Sequence, residues 1–193
     1  MKKIVILFLF LFSTFNIAKA VEGEYRMGVE FGWSPVDLEA EKTAQELANL
    51  SGSTVTVVYD EGAFVGRIFS DYGITSDFSV EAGYFQTSSV DATYTISGDS
   101  ATESYEANGF DISGVVKDKS GFFGKAGIHF ATVEGAASIT IGSTTYSVTA
   151  EQDGTGPLIG FGYEEDNVRY SFTHYNDLGD TTDFSFFSVG FVF

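Results

Sequence analysis

Apolar residues occupy every second position in segment after segment of this chain, beginning soon after residue 20. The first segment places them on one face: Tyr25, Met27, Val29, Phe31 and Trp33. Its other face combines charges with glycine: Glu24, Arg26, Gly28, Glu30 and Gly32. A period of two residues predicts a β-strand. An aromatic face opposite a charged one is typical of a strand with lipid on one side and a polar interior on the other.

The same alternation predicts eight strands, within residues 24–33, 63–72, 78–87, 109–116, 122–131, 158–164, 168–175 and 186–193. The connections after the second, fourth and sixth strands are short, and those after the first, third and fifth are long. Short turns at one end and long loops at the other are typical of membrane barrels. We therefore predict an all-β fold over residues 21–193: a transmembrane up-and-down antiparallel β-barrel of about eight strands, with long extracellular loops.

Three parts of the long loops are expected to be ordered. Residues 93–105 and 138–149 alternate around glycine-containing turns, which predicts β-hairpins that continue beyond the membrane. Residues 37–49 follow Ser34 and Pro35 and have the composition of a short helix.

The first 20 residues have the organisation of a cleavable export signal. Lys2 and Lys3 precede an apolar run at residues 4–12, and Ala18 and Ala20 flank Lys19 in an A-x-A cleavage motif. The alternative is a membrane anchor, but the apolar run is far shorter than the roughly 20 residues that span hydrocarbon. We expect residues 1–20 to be removed and the mature chain to reach the outer membrane of a Gram-negative cell.

Composition narrows the classes of partner. The chain has 22 glycines, 2 prolines, 20 phenylalanines and 10 tyrosines, which favours long paired strands. It has no cysteine, which excludes disulfides and thiolate metal sites. The net charge of −17 argues against nucleic acid as a partner, because phosphates demand a basic face.

The last strand resembles the terminal assembly signal of outer-membrane barrels. Its alternate residues Phe187, Val189, Phe191 and Phe193 are all apolar, with Ser188 and Gly190 among the residues between them. Residues 66–84 and 160–172 resemble the strand–short turn–strand repeats of the OmpA-like and OmpX-like eight-stranded barrels. The resemblance covers the barrel domain alone. It implies that the barrel-assembly machinery binds the C-terminal strand, and that outer-membrane lipid and lipopolysaccharide surround the wall.

Ten charged residues are predicted to face the barrel interior: Glu24, Arg26, Glu30, Arg67, Asp71, Glu81, Asp111, Lys125, Glu164 and Arg169. The interior of an eight-stranded barrel is just wide enough to be filled by side chains. Charges there must be paired and hydrogen-bonded, since desolvation is otherwise very costly. We expect Arg67 and Glu81, on adjacent strands, to form one such pair. The network is interpreted as a polar plug, with a gated ion path as the alternative.

Little in the sequence points to catalysis. His174 falls near the outer end of the seventh strand, on the lipid side, where some outer-membrane barrels that modify lipid A place a histidine near a serine. Such a site needs an activated nucleophile beside a base, but Tyr175, Asn176 and Asp177 follow without a serine. We expect His174 to be a rim residue, and we expect no enzyme activity, catalytic residue, cofactor or metal site.

The loops are acidic, with Asp37, Glu39, Asp91 and Glu103 among their residues. Acid clusters can bind calcium or magnesium, but the regular ligand spacing of a calcium loop is missing, so a solvated surface is expected. The leading hypothesis is a non-enzymatic outer-membrane barrel with a structural or surface-interaction role, in envelope integrity or adhesion, with an extracellular partner at the acidic loops. The alternatives are a narrow channel for ions or small solutes and a rim-sited enzyme that modifies lipid A.

Overall fold

The computed structural model describes residues 23–179 and 182–193. The predicted signal peptide, residues 1–20, lies outside the described residues. No helix within the described part of the chain is long and apolar enough to cross a membrane. The elements are β1 Tyr25–Pro35, α1 Ala40–Ser51, β2 Val55–Tyr59, β3 Gly62–Gly73, β4 Phe78–Thr87, β5 Val90–Ile96, β6 Asp99–Lys117, β7 Phe122–Ile141, β8 Thr144–Glu165, β9 Val168–Leu178 and β10 Thr182–Val192.

Eight of these strands close into a ring, which confirms the predicted antiparallel barrel. The order around the ring is β1, β3, β4, β6, β7, β8, β9 and β10, and β10 pairs with β1. Every neighbouring pair is antiparallel. One end of the barrel carries the short connections between β3 and β4, β6 and β7, and β8 and β9; we name it the turn end. The opposite end, with the long connections, is the loop end.

The two hairpins predicted in the long loops are continuous with barrel strands. At the loop end β6, β7 and β8 run well past the bounds predicted for them, to 19, 20 and 22 residues. β5 pairs with the outer part of β6, and β2 pairs with β5. We name this extension the protruding sheet: β2, β5 and residues 99–106, 132–141 and 144–155. The sequence prediction placed these outer residues in separate loop hairpins rather than in the barrel strands, and so cut the strands short.

The helix begins later than predicted. α1 covers Ala40–Ser51, whereas residues 37–49 were expected. Glu39 takes a left-handed conformation with φ of 48°, so the preceding residues cannot continue the helix. Gly52, at φ of 64°, ends it, because a left-handed residue at this position is readily adopted by glycine.

The barrel wall separates two kinds of side chain. Large apolar side chains such as Phe64, Phe110 and Phe161 are exposed on the exterior, at 73%, 63% and 63%. Charged side chains and a smaller apolar cluster fill the lumen. The apolar cluster lies toward the loop end: Val65, Phe85, Ala107, Ala131, Leu158, Tyr175, Leu178, Phe184 and Phe186. The lumen is therefore occupied by charged side chains and, closer to the loop end, by a layer of apolar side chains.

Glycine allows two neighbouring strands to approach at one point of this wall. Gly127 on β7 lies opposite Ser113 on β6. A Cβ atom added to Gly127 would lie 2.0 Å from the carbonyl oxygen of Ile112 and 2.6 Å from the Cα of Ser113. Both of these atoms belong to the backbone, so the strands themselves would have to separate.

Gly127→Ala should therefore weaken the barrel, whereas Gly124→Ala on the same strand should not. The nearest atom to a Cβ at Gly124 is 4.0 Å away. We expect Gly127→Ala to lower the free energy of unfolding by about 1–3 kcal/mol, the usual cost of overpacking. The measurement is urea unfolding of refolded protein in detergent. The folded fraction at each urea concentration is read from the faster gel mobility of the folded barrel. Equal midpoints for the two variants would contradict the close approach of β6 and β7.

Candidate functional site

Nine of the ten side chains predicted to face the interior are buried there. They are Arg26, Glu30, Arg67, Asp71, Glu81, Asp111, Lys125, Glu164 and Arg169. Glu24 is a correction, because its side chain is exposed. The parity of β1 was extended one residue too far. Glu24 precedes the strand, at the rim of the turn end, where water solvates its carboxylate.

Arg67 is the centre of the interior network. Its Nη1 donates to Glu30 at 2.9 Å and its Nη2 to Glu81 at 2.8 Å, so the predicted Arg67–Glu81 pair is present. It also contacts Asp111 with two nitrogens, Nε at 2.9 Å and Nη2 at 2.6 Å. Three carboxylates on three different strands thus surround one guanidinium. A planar group with five donors is suited to this arrangement, and an ammonium is not.

A second group of ion pairs lies toward the turn end. Arg169 bridges Glu81, at 2.5 Å, and Glu164, at 3.0 Å. Arg26 reaches the same Glu164 at 2.7 Å and also pairs with Asp71. Glu164 is consequently shared by two arginines, and Glu81 connects this group to Arg67. The acids and arginines form one continuous network through the lumen.

Sequence reasoning missed one member of this network. Lys117 donates to Glu164 at 2.5 Å, with its Nζ at the turn end of the barrel. It was assigned to the connection after the fourth predicted strand, but β6 extends to it. Continuing the interior parity of Ser113 and Val115 by two residues would have identified it.

The charges of the network balance. Five cations, Arg26, Arg67, Lys117, Lys125 and Arg169, face five acids, Glu30, Asp71, Glu81, Asp111 and Glu164. Lys125 is the loosest member: its Nζ lies 3.6 Å from Glu81 and has no hydrogen-bond partner among residues 23–179 and 182–193. A neutral set of ions needs no counterion from solvent, which fits a plug better than an ion path.

Aromatic rings lie on both sides of the ions. Phe69 lies 4.4 Å from the guanidinium carbon of Arg169 and 5.1 Å from that of Arg67, and Phe123 lies 4.8 Å from Arg169. On the loop side, the Tyr175 hydroxyl donates to Asp111 at 2.9 Å. Cation–π contacts add to the ion pairs where water is displaced. These rings fill the lumen around the charges.

The two histidines lie on opposite faces of the wall. His129 is fully buried, and its Nε2 lies 2.7 Å from the carbonyl oxygen of Asn176. His174 is half-buried on the exterior, and its Nδ1 lies 2.7 Å from the Oγ of Ser185 on β10. Sequence reasoning searched for a serine next to His174 in the chain and missed the one on the neighbouring strand. Among the described residues, no carboxylate hydrogen-bonds to this imidazole.

The protruding sheet carries α1 on its lumen-side face. Ala40 and Ala44 of the helix pack against Ala92 and Tyr94 of β5. The Tyr94 hydroxyl donates to Glu103 at 2.5 Å. Burial, together with this hydrogen bond to a carboxylate, raises the pKa of Tyr94 to about 12. The helix thus covers one half of the face and is held there by a neutral phenol.

The other half of that face is open. Ile139, Ile141, Tyr146 and Val148 are between 44% and 65% exposed. Ile139, Tyr146 and Val148 line a groove of about 400 Å³ that Leu47 of α1 also lines. Residues 144–153 pair with β7 and with no other described strand, so the backbone of β8 forms a free edge here. Within the described ranges, no group of three or more His, Asp or Glu side chains is placed to hold a metal ion.

The C-terminal strand closes the barrel and keeps the alternation seen in its sequence. Phe187, Val189 and Phe191 point outward and are exposed, and Phe193 is half-buried. The backbone N–H of Phe193 donates to the carbonyl of Met27 at 2.7 Å. The pairing of residues 187–193 with residues 27–33 of β1 therefore closes the ring.

Comparison with known proteins gives structural neighbours only. No protein family matches the sequence, and no curated protein matches it. The chain is similar to Ail, the attachment invasion locus protein of Yersinia pestis, at 12% identity and a TM-score of 0.47, covering 90% of this chain and 100% of that one. It is also similar to the outer membrane protein OprG of Pseudomonas aeruginosa, at 10% identity and a TM-score of 0.46, covering 92% and 99%. Neisserial surface protein A is 14% identical, with a TM-score of 0.34, over 87% and 94%.

Removing the central guanidinium should destabilise the barrel strongly. Arg67→Met leaves Glu30, Glu81 and Asp111 without their shared partner, and breaking a buried ion network in this way costs about 3–5 kcal/mol. Lys42→Met is the matched control. It breaks the exposed pair with Glu39 at the start of α1, and exposed pairs of this kind contribute little to stability.

The measurement is again urea unfolding in detergent, with heating of both variants to confirm that each starts as a folded barrel. If Arg67→Met and Lys42→Met unfold at the same urea concentration, the lumen ions contribute no more than a surface pair. The network would then be hydrated rather than sealed.

Proposed function

We propose that this protein is a non-enzymatic barrel of the Gram-negative outer membrane. The observation that supports it most is the inverted wall. Six exterior rings among the described residues are between 62% and 74% exposed: Tyr25, Phe31, Phe64, Phe110, Phe122 and Phe161. Arg67, Glu30 and Glu81, in contrast, are almost completely withdrawn from solvent. Water would penalise this distribution, whereas hydrocarbon outside and a polar centre inside favour it.

A structural role is supported by the filled lumen. The ions are balanced and mutually paired, and an apolar cluster covers them toward the loop end. A channel for ions or small solutes would need a hydrated path along this axis. The neutral network supports the plug over the channel, and we assign the barrel to envelope integrity.

A surface-interaction role is supported by the protruding sheet. It has both an uncovered apolar stripe, including Tyr146 and Val148, and the free edge of β8. A free edge can accept a further strand, and alternate side chains beside it supply specificity. We propose that the sheet contacts an extracellular partner by this route. In this orientation the turn end of the barrel lies in the periplasm and its loop end lies outside the cell.

The wall and its last strand define the remaining partners. The exposed aromatic exterior would contact outer-membrane lipid and lipopolysaccharide. The outward row Phe187, Val189 and Phe191 would be the part of the unfolded chain that the barrel-assembly machinery binds before the ring closes.

Location is tested by fractionation followed by heating. The protein expressed with its leader should sediment with outer membranes, resist extraction by salt, and migrate faster on a gel before boiling than after it. A mature chain that is monomeric and soluble without detergent would exclude the membrane location.

The interaction surface is tested by removing its apolar stripe. Tyr146→Ser with Val148→Ser should weaken binding of whole cells to immobilised extracellular matrix and to sister cells on the order of tenfold or more, since each apolar side chain buried contributes about 1.5–3 kcal/mol. Thr145→Ser with Thr149→Ser, on the opposite face of the same strand, is the control. Equal binding by both double variants, at equal surface display, would exclude the stripe as the contact.

A further inference from the structure

A continuous row of aromatic side chains crosses the exterior of the barrel. Register places each ring directly opposite the next one on the neighbouring strand. The row runs through Phe161, Phe172, Phe187, Trp33 and Phe64, on β8, β9, β10, β1 and β3. The first three rings are 5.4 and 4.9 Å apart between centroids, within the range of favourable aromatic pairs. Five adjacent strands thus present one unbroken band of rings.

This row forms the wall of a groove. A second row, two residue pairs closer to the turn end, includes Tyr163, Tyr170, Val189 and Phe31. The groove along these rows has a volume of about 760 Å³ and an almost wholly apolar lining. It is shallow and open along the barrel exterior, so it suits a chain that lies along the wall rather than an enclosed molecule.

One polar pair lies immediately beyond the groove at the loop end. His174 and Ser185 are opposite each other on β9 and β10, two residues beyond Phe172 and Phe187. Their Nδ1 and Oγ atoms are 2.7 Å apart. Side chains two apart on a strand share a face and lie about 7 Å from each other. A long apolar surface therefore ends at a hydroxyl and an imidazole, which together can donate and accept hydrogen bonds.

We infer that the groove binds an acyl chain of outer-leaflet lipid A, with His174 and Ser185 hydrogen-bonded to the ester or hydroxyl group at the head of that chain. This inference rests on the proposed membrane location, which turns the loop end outward and brings the polar pair to the outer leaflet. The groove takes the hydrocarbon tail, and the pair takes the first polar group above it.

The surrounding charges favour the acyl linkage over the phosphate as the contact. Asp177 and Asp183 lie three and two residues from His174 and Ser185, and the Asp177 N–H donates to the Asp183 carboxylate at 3.2 Å. Two carboxylates beside the pair repel a phosphate but leave a neutral ester or hydroxyl undisturbed. A neutral linkage between sugar and chain matches the site.

The chain supplies its own reporter for this site. Trp33 is its single tryptophan, is 44% exposed and lines the groove. The probe is a diacyl phospholipid brominated at mid-chain, added in small mole fractions to maltoside micelles that hold the refolded barrel. Bromine quenches tryptophan emission on contact. The matched reporter is Trp33→Phe with Phe110→Trp, which moves the indole to an exposed position on the opposite wall.

We expect Trp33 to be half-quenched at about a fivefold lower mole fraction than the Phe110→Trp reporter, a ratio equal to about 1 kcal/mol of preference. Unlabelled lipid A should restore the emission of Trp33. Val189→Phe, which fills the groove, should abolish the preference, whereas Val116→Phe, exposed but outside the groove, should retain it. His174→Phe with Ser185→Ala should abolish it while keeping the exterior apolar.

The outcomes separate this inference from the proposed location. Equal quenching of the two reporters would mean that ordinary boundary lipid alone surrounds the barrel, which overturns the groove site. Preferential quenching that lipid A fails to reverse would overturn the choice of ligand. No quenching of either reporter would mean that the exterior does not contact acyl chains, and the membrane location would fail with it.

Discussion

Every backbone N–H and C=O in a membrane must find a partner within the protein, because hydrocarbon offers none. The pairing of β1 with β10 meets this constraint for the whole ring, since it leaves no open edge in the eight-stranded wall. The remaining features follow from closure. A closed ring of eight strands has a narrow inside that side chains just fill, and an outside that the chain itself cannot cover. The chain therefore places ions at the centre and aromatic rings on the exterior.

Closure also explains how the desolvation cost of the buried ions is offset. Arg26 and Glu164 are 138 residues apart in the chain, and Arg169 and Glu81 are 88 apart. Neither pair can form until strands far apart in the sequence meet across the lumen. These two contacts therefore depend on the completed ring, whereas pairs such as Arg26–Asp71 and Arg67–Glu81 join neighbouring strands. Phe69 and Phe123 exclude water from the same space and strengthen the pairs that remain.

Alternation alone predicted the barrel because successive side chains of a strand point to opposite faces of the wall, one toward the lumen and one toward the exterior. The same rule located Arg67, Asp111 and Arg169 correctly, since a strand's parity needs no knowledge of its partners. It was wrong at Glu24, where the strand had not yet begun, and it stopped short of Lys117, where the strand had not yet ended. The hydrogen bond between His174 and Ser185 was out of reach for another reason. It depends on the register between β9 and β10, which places two residues eleven positions apart opposite each other and which alternation within a single strand does not encode.

The continuity of β7 and β8 has a mechanical consequence. These strands run without a break from the turn end, through the wall, to the tip of the protruding sheet, with 20 residue pairs between them. A load applied at the tip along the strand direction would pass through covalent backbone into the barrel. There it would be resisted by the ladders with β6 and β9, all strained together in shear rather than opened one bond at a time. A pull on this tip would therefore reach the barrel wall through continuously paired strands, with no break in β7 or β8 along the way.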